Sequence, residues 1–582
     1  MEKIAALVLA TAVVIAWIAP AARGEVRSFQ WKVEYIYWAP DCVETVVIGI
    51  NGQYPGPTIR ATAGDTIRVE LENGMSTEGL AIHWHGIRQI GTPFYDGVPF
   101  ASQCPINPGE TFTYEFVVDR PGTYFYHGHY GLQRSAGLYG SLIVDPVPSD
   151  AVPFTYDGEL SIVLNDWWHR SIYSQETGLS QLGSAFRFVG EPQSLLIEGR
   201  GRYNCSLIPA APSSPPLSGD VMSCNSSRPQ CAMHALAVRP GLTYRLRIAS
   251  VASLSSLNFL LEGHNMTLVE ADGHYVTPVE ISNLDIYSGE TYSVLVTANQ
   301  DPSRSYWAAV NVRGRRPATP TGLAILSYGD GSSSSAPPST PAPQSPAWDD
   351  FAYSVAQARR VVSRPGFQIP LPERANVRLM LLSTQNRIDG KIKWAINNVS
   401  YVPRATPVIA AFQFNLTTAY DLAASPPRDF SRGYKIRNAP PNPSAIQGSG
   451  VYTFRHNDVV DVVLQNSNTL VPNNSEIHPW HLHGHDFWVL GYGSGIYRSH
   501  RHGSTLNFVN PPMRNTVAVF PYGWTYLRFR ADNPGVWAFH CHIESHFHMG
   551  MGVMFAEGVD RLPRIPAQAL GCGYTKALFT AP

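Results

Sequence analysis

The sequence predicts an all-β protein built from three similar β domains, and two observations carry that prediction. The first is composition. Of 582 residues, 48 are Gly, 47 Pro, 28 Tyr and 24 Phe, the profile of many short strands joined by turns. The second is a hairpin pattern that occurs three times. Pro108-Gly109-Glu110-Thr111-Phe112-Thr113-Tyr114 leads to Pro121-Gly122-Thr123-Tyr124-Phe125-Tyr126-His127-Gly128-His129. Near the C-terminus, Tyr522-Gly523-Trp524-Thr525-Tyr526-Leu527-Arg528 leads to Pro534-Gly535-Val536-Trp537-Ala538-Phe539-His540-Cys541-His542. A middle copy runs from Ser288-Gly289-Glu290-Thr291-Tyr292 to Ser305-Tyr306-Trp307-Ala308-Ala309-Val310 and has no histidine. Three copies of one hairpin in a chain of this length give three sandwich-sized units.

The first element is an apolar run from Ile4 to Ile18 ending at Ala22-Arg23-Gly24. It reads as a secretory signal peptide over residues 1–24, too short and too weakly flanked for a membrane anchor. Six sequons, at Asn204, Asn225, Asn265, Asn398, Asn415 and Asn473, agree with a secreted glycoprotein. Charged residues make up 15% and the net charge is -1, so neither nucleic acid nor a membrane surface is an expected partner. Seven cysteines leave one free thiol if the other six pair. Six cysteines allow fifteen pairings, and spacing does not choose among them.

In the first domain, Val46–Ile50, Thr66–Leu71 and Leu80–His85 are expected strands between the turns Asn51-Gly52, Pro55-Gly56-Pro57 and Asn73-Gly74. The third carries His83-Trp84-His85, and i, i+2 spacing puts both imidazoles on one strand face. His127-Gly128-His129 repeats the device. Pro317–Pro346, with GDGSSSSAPPSTPAPQSP, is read as a linker too polar and proline-rich to pack. The expected boundaries are 25–152, 153–348 and 349–582, the third domain following the linker.

The third domain holds His478-Pro479-Trp480-His481-Leu482-His483, with His478 expected to be turned aside by Pro479, and the run His540-Cys541-His542 to His546 and Met551. In a strand, Cys541 points opposite to its two histidine neighbours. Cys, two His and a long methionine sulfur make a blue-copper set, here His478, Cys541, His546 and Met551. Met549 is the competing sulfur. The remaining eight histidines form four HxH pairs, two from each end of the chain. They suit three further coppers at an interface between the first and third domains, with positions left for dioxygen. Ten of the 19 histidines fall in these four motifs.

The motifs HWHG, HGHYG, HPWHLHGH and HCHIESHFHMGM resemble those of the multicopper oxidases along the whole mature chain. DWWH (Asp166–His169), GEPQ (Gly190–Gln193), KWAIN (Lys393–Asn397), HDFWVLGYG (His485–Gly493) and Met551 resemble the plant ascorbate-oxidizing branch. The resemblance implies three cupredoxin-like Greek-key β-sandwich or barrel domains and four coppers. It implies His83 and His481 on the type 2 copper. One type 3 copper would take His85, His127 and His542, and the other His129, His483 and His540. It also implies disulfides Cys42–Cys231, Cys104–Cys572 and Cys205–Cys224, and proton-relaying acids Asp96 and Glu544. The reductant, ascorbate or another small donor, would meet the exposed edge of His546 between Trp394 and a second tryptophan. This chain departs there, with Phe188. The implied reaction is one-electron oxidation of ascorbate coupled to four-electron reduction of dioxygen to water, in the apoplast, by a monomer or a homodimer. The alternatives are a laccase-type phenol oxidase with the same coppers and a copper-free cell-wall glycoprotein.

Overall fold

The computed structural model describes residues 24–182, 186–208, 223–329, 336–420, 426–429, 434–437 and 444–579. The expected signal peptide lies outside them except for Gly24. No helix of the described residues is long and apolar enough to cross a membrane.

Almost every described element is a strand, and the strands form six sheets that belong in pairs to successive stretches of chain. The first pair is a five-stranded sheet centred on Val26–Trp38 and Thr66–Asn73, and a four-stranded sheet ordered Ile59–Thr62, Tyr139–Asp145, Gly122–Gly128, Ile82–His85. Its strands follow the expected ones to within three residues at each end.

The same wiring recurs twice. Val26–Trp38 runs parallel to Thr66–Asn73, Gly158–Trp167 to Thr243–Ser250, and Val377–Ile388 to Asp458–Gln465. The second hairpin strand of each copy, Gly122–Gly128, Tyr306–Arg313 or Gly535–Cys541, lies inside the second sheet of its pair. A buried apolar cluster fills each unit, with Ile67, Val69 and Trp84 in the first, Ile248, Phe259 and Val310 in the second, and Leu381, Val462 and Phe539 in the third.

Histidines are held where the sheets pair them. His83 stands opposite His127, and His481 opposite His540. In the middle unit the corresponding strands place Phe259 opposite Val310, so the same position there joins the core.

The linker expectation needs correction. Trp307 Nε1 donates to the Thr340 carbonyl at 2.8 Å, and Arg313 Nη1 to the Pro346 carbonyl at 3.0 Å and to that of Ala347. Proline-rich backbone lacks its own hydrogen-bond ladder, and its free carbonyls serve two buried donors. Residues 330–335 fall outside the described part. The following helix, Phe351–Arg360, bonds back to the middle unit through Ser354 to Asp285 and Gln357 to Asn283. It lies at the seam between the second and third units.

The disulfides are Cys42–Cys231, Cys104–Cys572 and Cys205–Cys224, and Cys541 is free and buried. The seam between the middle and last units is closed by a fully buried ion pair. Arg514 Nε meets Asp272 Oδ2 at 2.8 Å, and the same carboxylate accepts the N–H groups of Asn515 and Thr516. Removing one partner strands a buried charge, at about 3–5 kcal/mol. Asp272→Ala should therefore lower stability by about 3 kcal/mol in denaturant unfolding, whereas Asp560→Ala, an exposed carboxylate at the surface, should change it by less than about 0.5 kcal/mol.

Candidate metal centre

Four strands and one short helix position the candidate ligands: β1 (Ile82–His85), β2 (Gly122–Gly128), β3 (His478–Leu482), β4 (Gly535–Cys541) and α1 (Glu544–His548). β3 pairs antiparallel with β4, placing Trp480 opposite Cys541 and His481 opposite His540. Directly opposed residues share a face. His478 and Cys541 therefore face one way, and His481, His483 and His540 the other. The expected proline turn at Pro479 is absent. His478 and Pro479 lie in the strand, paired with Val519 and Ala518, and odd spacing alone separates His478 from His481.

On the first face, Cys541 Sγ is 3.8 Å from His478 Nδ1 and 3.9 Å from His546 Nδ1. α1 makes one turn past the strand and brings His546 back to the sulfur. Met551 is tied by main-chain bonds to Cys541 and His546, at 3.0 and 2.9 Å, while the Met549 carbonyl accepts from Trp394 N. Burial pushes the Cys541 thiol far up and the His478 imidazole down to about 3, and lowers His546 strongly. Two neutral imidazole donors beside a thiol that burial alone would keep protonated form a set that a soft cation completes, by holding the sulfur as thiolate.

On the second face the eight remaining histidines converge. The groups whose ligand atoms lie within 4.8 Å of one another are His83, His481 and His483; His83, His85 and His127; and His129, His483 and His540. Burial, then the neighbouring imidazoles or Arg134, holds His85, His127, His129, His481, His483 and His542 well below the ordinary value, and burial holds His540 at about 3.

The ring orientations show what the cluster is built for. His83 Nδ1 donates to the Asp96 carbonyl at 2.7 Å, and His481 Nδ1 to that of Asn515 at 2.9 Å. Their Nε2 lone pairs then face each other at 3.3 Å. His540 Nδ1 donates to the Cys541 carbonyl and His483 Nδ1 to Asp96 Oδ2, each at 2.9 Å, leaving their Nε2 atoms 3.0 Å apart. Opposed lone pairs repel unless a cation lies between them, so the residues fit metal ions. His85 is turned over. Its Nε2 meets Thr516 Oγ1 at 3.2 Å, and its buried Nδ1 has no protein partner.

His542 stands apart from these groups. Its ring lies 4.7 Å from that of His85 and 5.3 Å from that of His127. Arg134 Nη1 is 2.6 Å from Nδ1 and 2.9 Å from Nε2, so the guanidinium lies against the ring. Asp96 is fully buried, touches both His83 and His483, and has its carboxyl raised by burial. Glu544 touches no histidine. It accepts from the N–H groups of Arg134 and Ser135 at 2.9 and 2.8 Å, and reaches His542 only through Arg134.

The donor side differs from the sequence expectation. Trp394 packs on His546 and His478, with ring centroids 5.0 and 4.9 Å apart, but it is 0% exposed. It is a wall of the thiolate site with no open face, because its strand, Lys391–Ile396, is covered by α1 and the 172–180 helix. His546 itself is 1% exposed. Phe188 lies 5.8 Å from His546 and lines a pocket of about 230 Å³ with Glu191, Leu254, Arg315, Glu476 and Ile543. Glu476 comes within 3.6 Å of His546 Nε2, and Arg315 pairs with Glu191 at 2.6 Å. Sequence reasoning missed Arg315 and Glu476. Glu476 sits two residues before His478, the one signal that could have drawn notice.

With that geometry established, known proteins place the chain. Residues 32–149, 158–331 and 412–561 each match multicopper oxidase domains. The chain is 54% identical over 559 residues to an L-ascorbate oxidase of Cucumis sativus, covering 96% of this chain and 93% of the relative. It is 53% identical to one from Brassica rapa subsp. pekinensis, covering 97% of each, and 32% identical to laccase-12 of Arabidopsis thaliana, covering 90% and 91%. The laccase of Botrytis aclada superposes with a TM-score of 0.72 at 26% identity, over 96% of this chain and 91% of that one. Three matched segments and more than 50% identity along nearly the whole length decide the question: this chain belongs to the multicopper oxidase family.

Proposed function

We propose that this chain is a secreted four-copper oxidase that takes single electrons from L-ascorbate and reduces dioxygen to water. The observation that carries the proposal is the two-faced strand β4. Cys541 faces the donor pocket side, and His540, one residue away, faces the histidine cluster. Three domains, over residues 25–152, 153–348 and 349–582, would carry these parts. L-ascorbate oxidases as relatives at 52–54% identity, against laccases at 32%, support ascorbate as the reductant. The apolar N-terminus, six sequons and three disulfides support secretion to the apoplast.

His478, Cys541, His546 and Met551 would hold the type 1 copper. His83 and His481 would hold the type 2 copper, and His85 (through Nδ1), His127 and His542 one type 3 copper. His129, His483 and His540 would hold the other. Bound copper supplies one-electron transfer at the thiolate and multi-electron chemistry toward dioxygen at the cluster. The protein's own part is orientation and proton supply. The pocket beside His546 presents the Phe188 ring for stacking a planar donor, and the Arg315 guanidinium, paired with Glu191, lines its wall. Glu476 stands where a proton leaves the donor. Asp96, raised by burial, can hold a proton between His83 and His483 and release it to oxygen. Glu544, also raised by burial, is the second reservoir, acting from behind Arg134.

Phe188 favours one second reading. It gives a stacking face without an N–H donor, which suits a phenol. Steady-state kinetics on copper-replete protein with ascorbate and a methoxyphenol separate the two. Higher kcat/KM for ascorbate is expected, and a preference for the phenol would replace ascorbate in the proposal. Phe188→Trp should lower KM for ascorbate about fivefold, the value of one hydrogen bond near 1 kcal/mol, leaving copper content unchanged. Cys541→Ser should abolish the blue colour and turnover together while the histidine cluster keeps its copper by metal analysis. Asp96→Asn should reduce kcat about a hundredfold, the scale of a lost general acid. Stopped-flow should then show the blue colour bleaching normally with reductant and returning slowly in air.

A further inference from the structure

The middle unit carries none of the ten ligand-like histidines, yet one of its loops touches the cluster. The turn Tyr287-Ser288-Gly289-Glu290 leads into the strand Thr291–Thr297. It is the middle copy of the hairpin motif, and Ser288 is 1% exposed. Ser288 Oγ lies 2.8 Å from His542 Nδ1 and also contacts the Ala252 carbonyl. A serine hydroxyl has one proton and two lone pairs. With that proton given to the Ala252 carbonyl, Oγ can only accept at Nδ1. Nδ1 of His542 must then carry the imidazole proton and Nε2 the lone pair, with the donor-only Arg134 guanidinium lying over the ring, its Nη1 2.6 Å from Nδ1 and 2.9 Å from Nε2.

Gly289 completes the seat. Its φ is +89°, and a Cβ there would stand 2.9 Å from Cγ and 3.0 Å from Nδ1 of His542. The backbone thus approaches the ring more closely than any side chain permits. A second main-chain tie comes from the same unit, where Glu544 N donates to the Ser253 carbonyl at 2.9 Å. His542 is held from one side by Arg134 of the first unit and from the other by Ser288 and Gly289 of the middle unit.

We propose that Ser288, seated by Gly289, is a positioning residue for the cluster: it selects the His542 tautomer with the lone pair on Nε2 and fixes the ring plane, so that the copper-free middle unit governs one metal position. Ligand imidazoles are commonly oriented by a partner on the other nitrogen, and losing that partner costs about 10–100-fold in metal affinity. Elsewhere in the cluster a main-chain carbonyl or Asp96 plays that part. At His542, as at His483 with Asp96, it falls to a side chain from another unit, and here that unit holds none of the ten ligand-like histidines. The inference rests on the histidines being copper ligands as proposed above.

The test is Ser288→Ala, with Ser288→Thr as the variant that keeps the hydroxyl, and Gly289→Ala as an independent disturbance of the seat. Each is loaded with copper and read by metal analysis, by electron paramagnetic resonance and by the visible and near-ultraviolet bands. Ser288→Ala and Gly289→Ala should lose close to one equivalent of copper, or expose a resonance from an uncoupled type 3 copper, while the blue band stays intact. Ser288→Thr should restore the wild-type spectra, and KM for the reductant should not move in any variant. Full copper with unchanged cluster spectra in Ser288→Ala would overturn the inference. So would equal loss of the blue band, or lower thermal stability with intact spectra, either of which marks a general structural role. If the wild-type protein itself binds no copper cluster, the proposed function fails first, and the two failures are told apart.

Discussion

The alternation of side chains along one strand is the constraint on which the rest of the structure depends. β4 places a sulfur on one face and an imidazole on the other at consecutive residues. Because successive side chains must diverge, the two metal environments are separated by a few covalent bonds and cannot drift apart. Antiparallel pairing with β3 doubles the device, since His478 and His481 fall on opposite faces of the neighbouring strand by the same rule. Two sites of different chemistry thus share one hydrogen-bonded ladder, and no flexible element stands between them.

Such a cluster is costly to the bare fold. Eight imidazoles meet in a largely buried space, several with lone pairs directed at one another. Burial lowers seven of these imidazoles, His85, His127, His129, His481, His483, His540 and His542, and so favours the neutral state a ligand requires. Main-chain carbonyls, Asp96 and Ser288 fix which nitrogen carries the proton. The surrounding framework holds the rings against their mutual repulsion through the Arg514–Asp272 pair, the disulfide from Cys104 to Cys572 and three apolar cores. Local strain of this kind persists where neighbouring structure over-determines it.

Much of this was legible in the sequence because strand geometry is periodic. HxH at i, i+2 states its own face, the hairpin motif declares its three copies, and the odd cysteine announces itself among six others. What depends on long-range placement was not. Arg315 and Glu476 meet beside Phe188 from distant segments; the family resemblance pointed to Phe188, and no local pattern pointed to the other two. Trp394 was legible as a neighbour of His546 but not as a fully buried one, because coverage by α1 depends on packing. The proline-rich stretch after residue 335 looked like free linker, since composition reports missing ladder partners and is silent on the buried Trp307 and Arg313 that use its carbonyls. Ser288 lay inside a motif noticed for its repeat, while its contact with His542, 254 residues away, is a matter of assembly.

The span of those contacts has a consequence for biosynthesis. His83 meets His481 across 398 residues, and the first unit is tied to the extreme C-terminus through Cys104–Cys572. The cluster therefore has no existence on a growing chain until nearly all of it has emerged. The His478–Cys541–His546 group lies wholly within residues 478–546, inside the last unit. Domains fold as units, N-terminal first, so the first unit waits with four histidines gathered on one sheet and their partners not yet synthesised. For that interval it is a half-site, open to whatever metal its surroundings offer, and only arrival of the last unit converts it into a closed one.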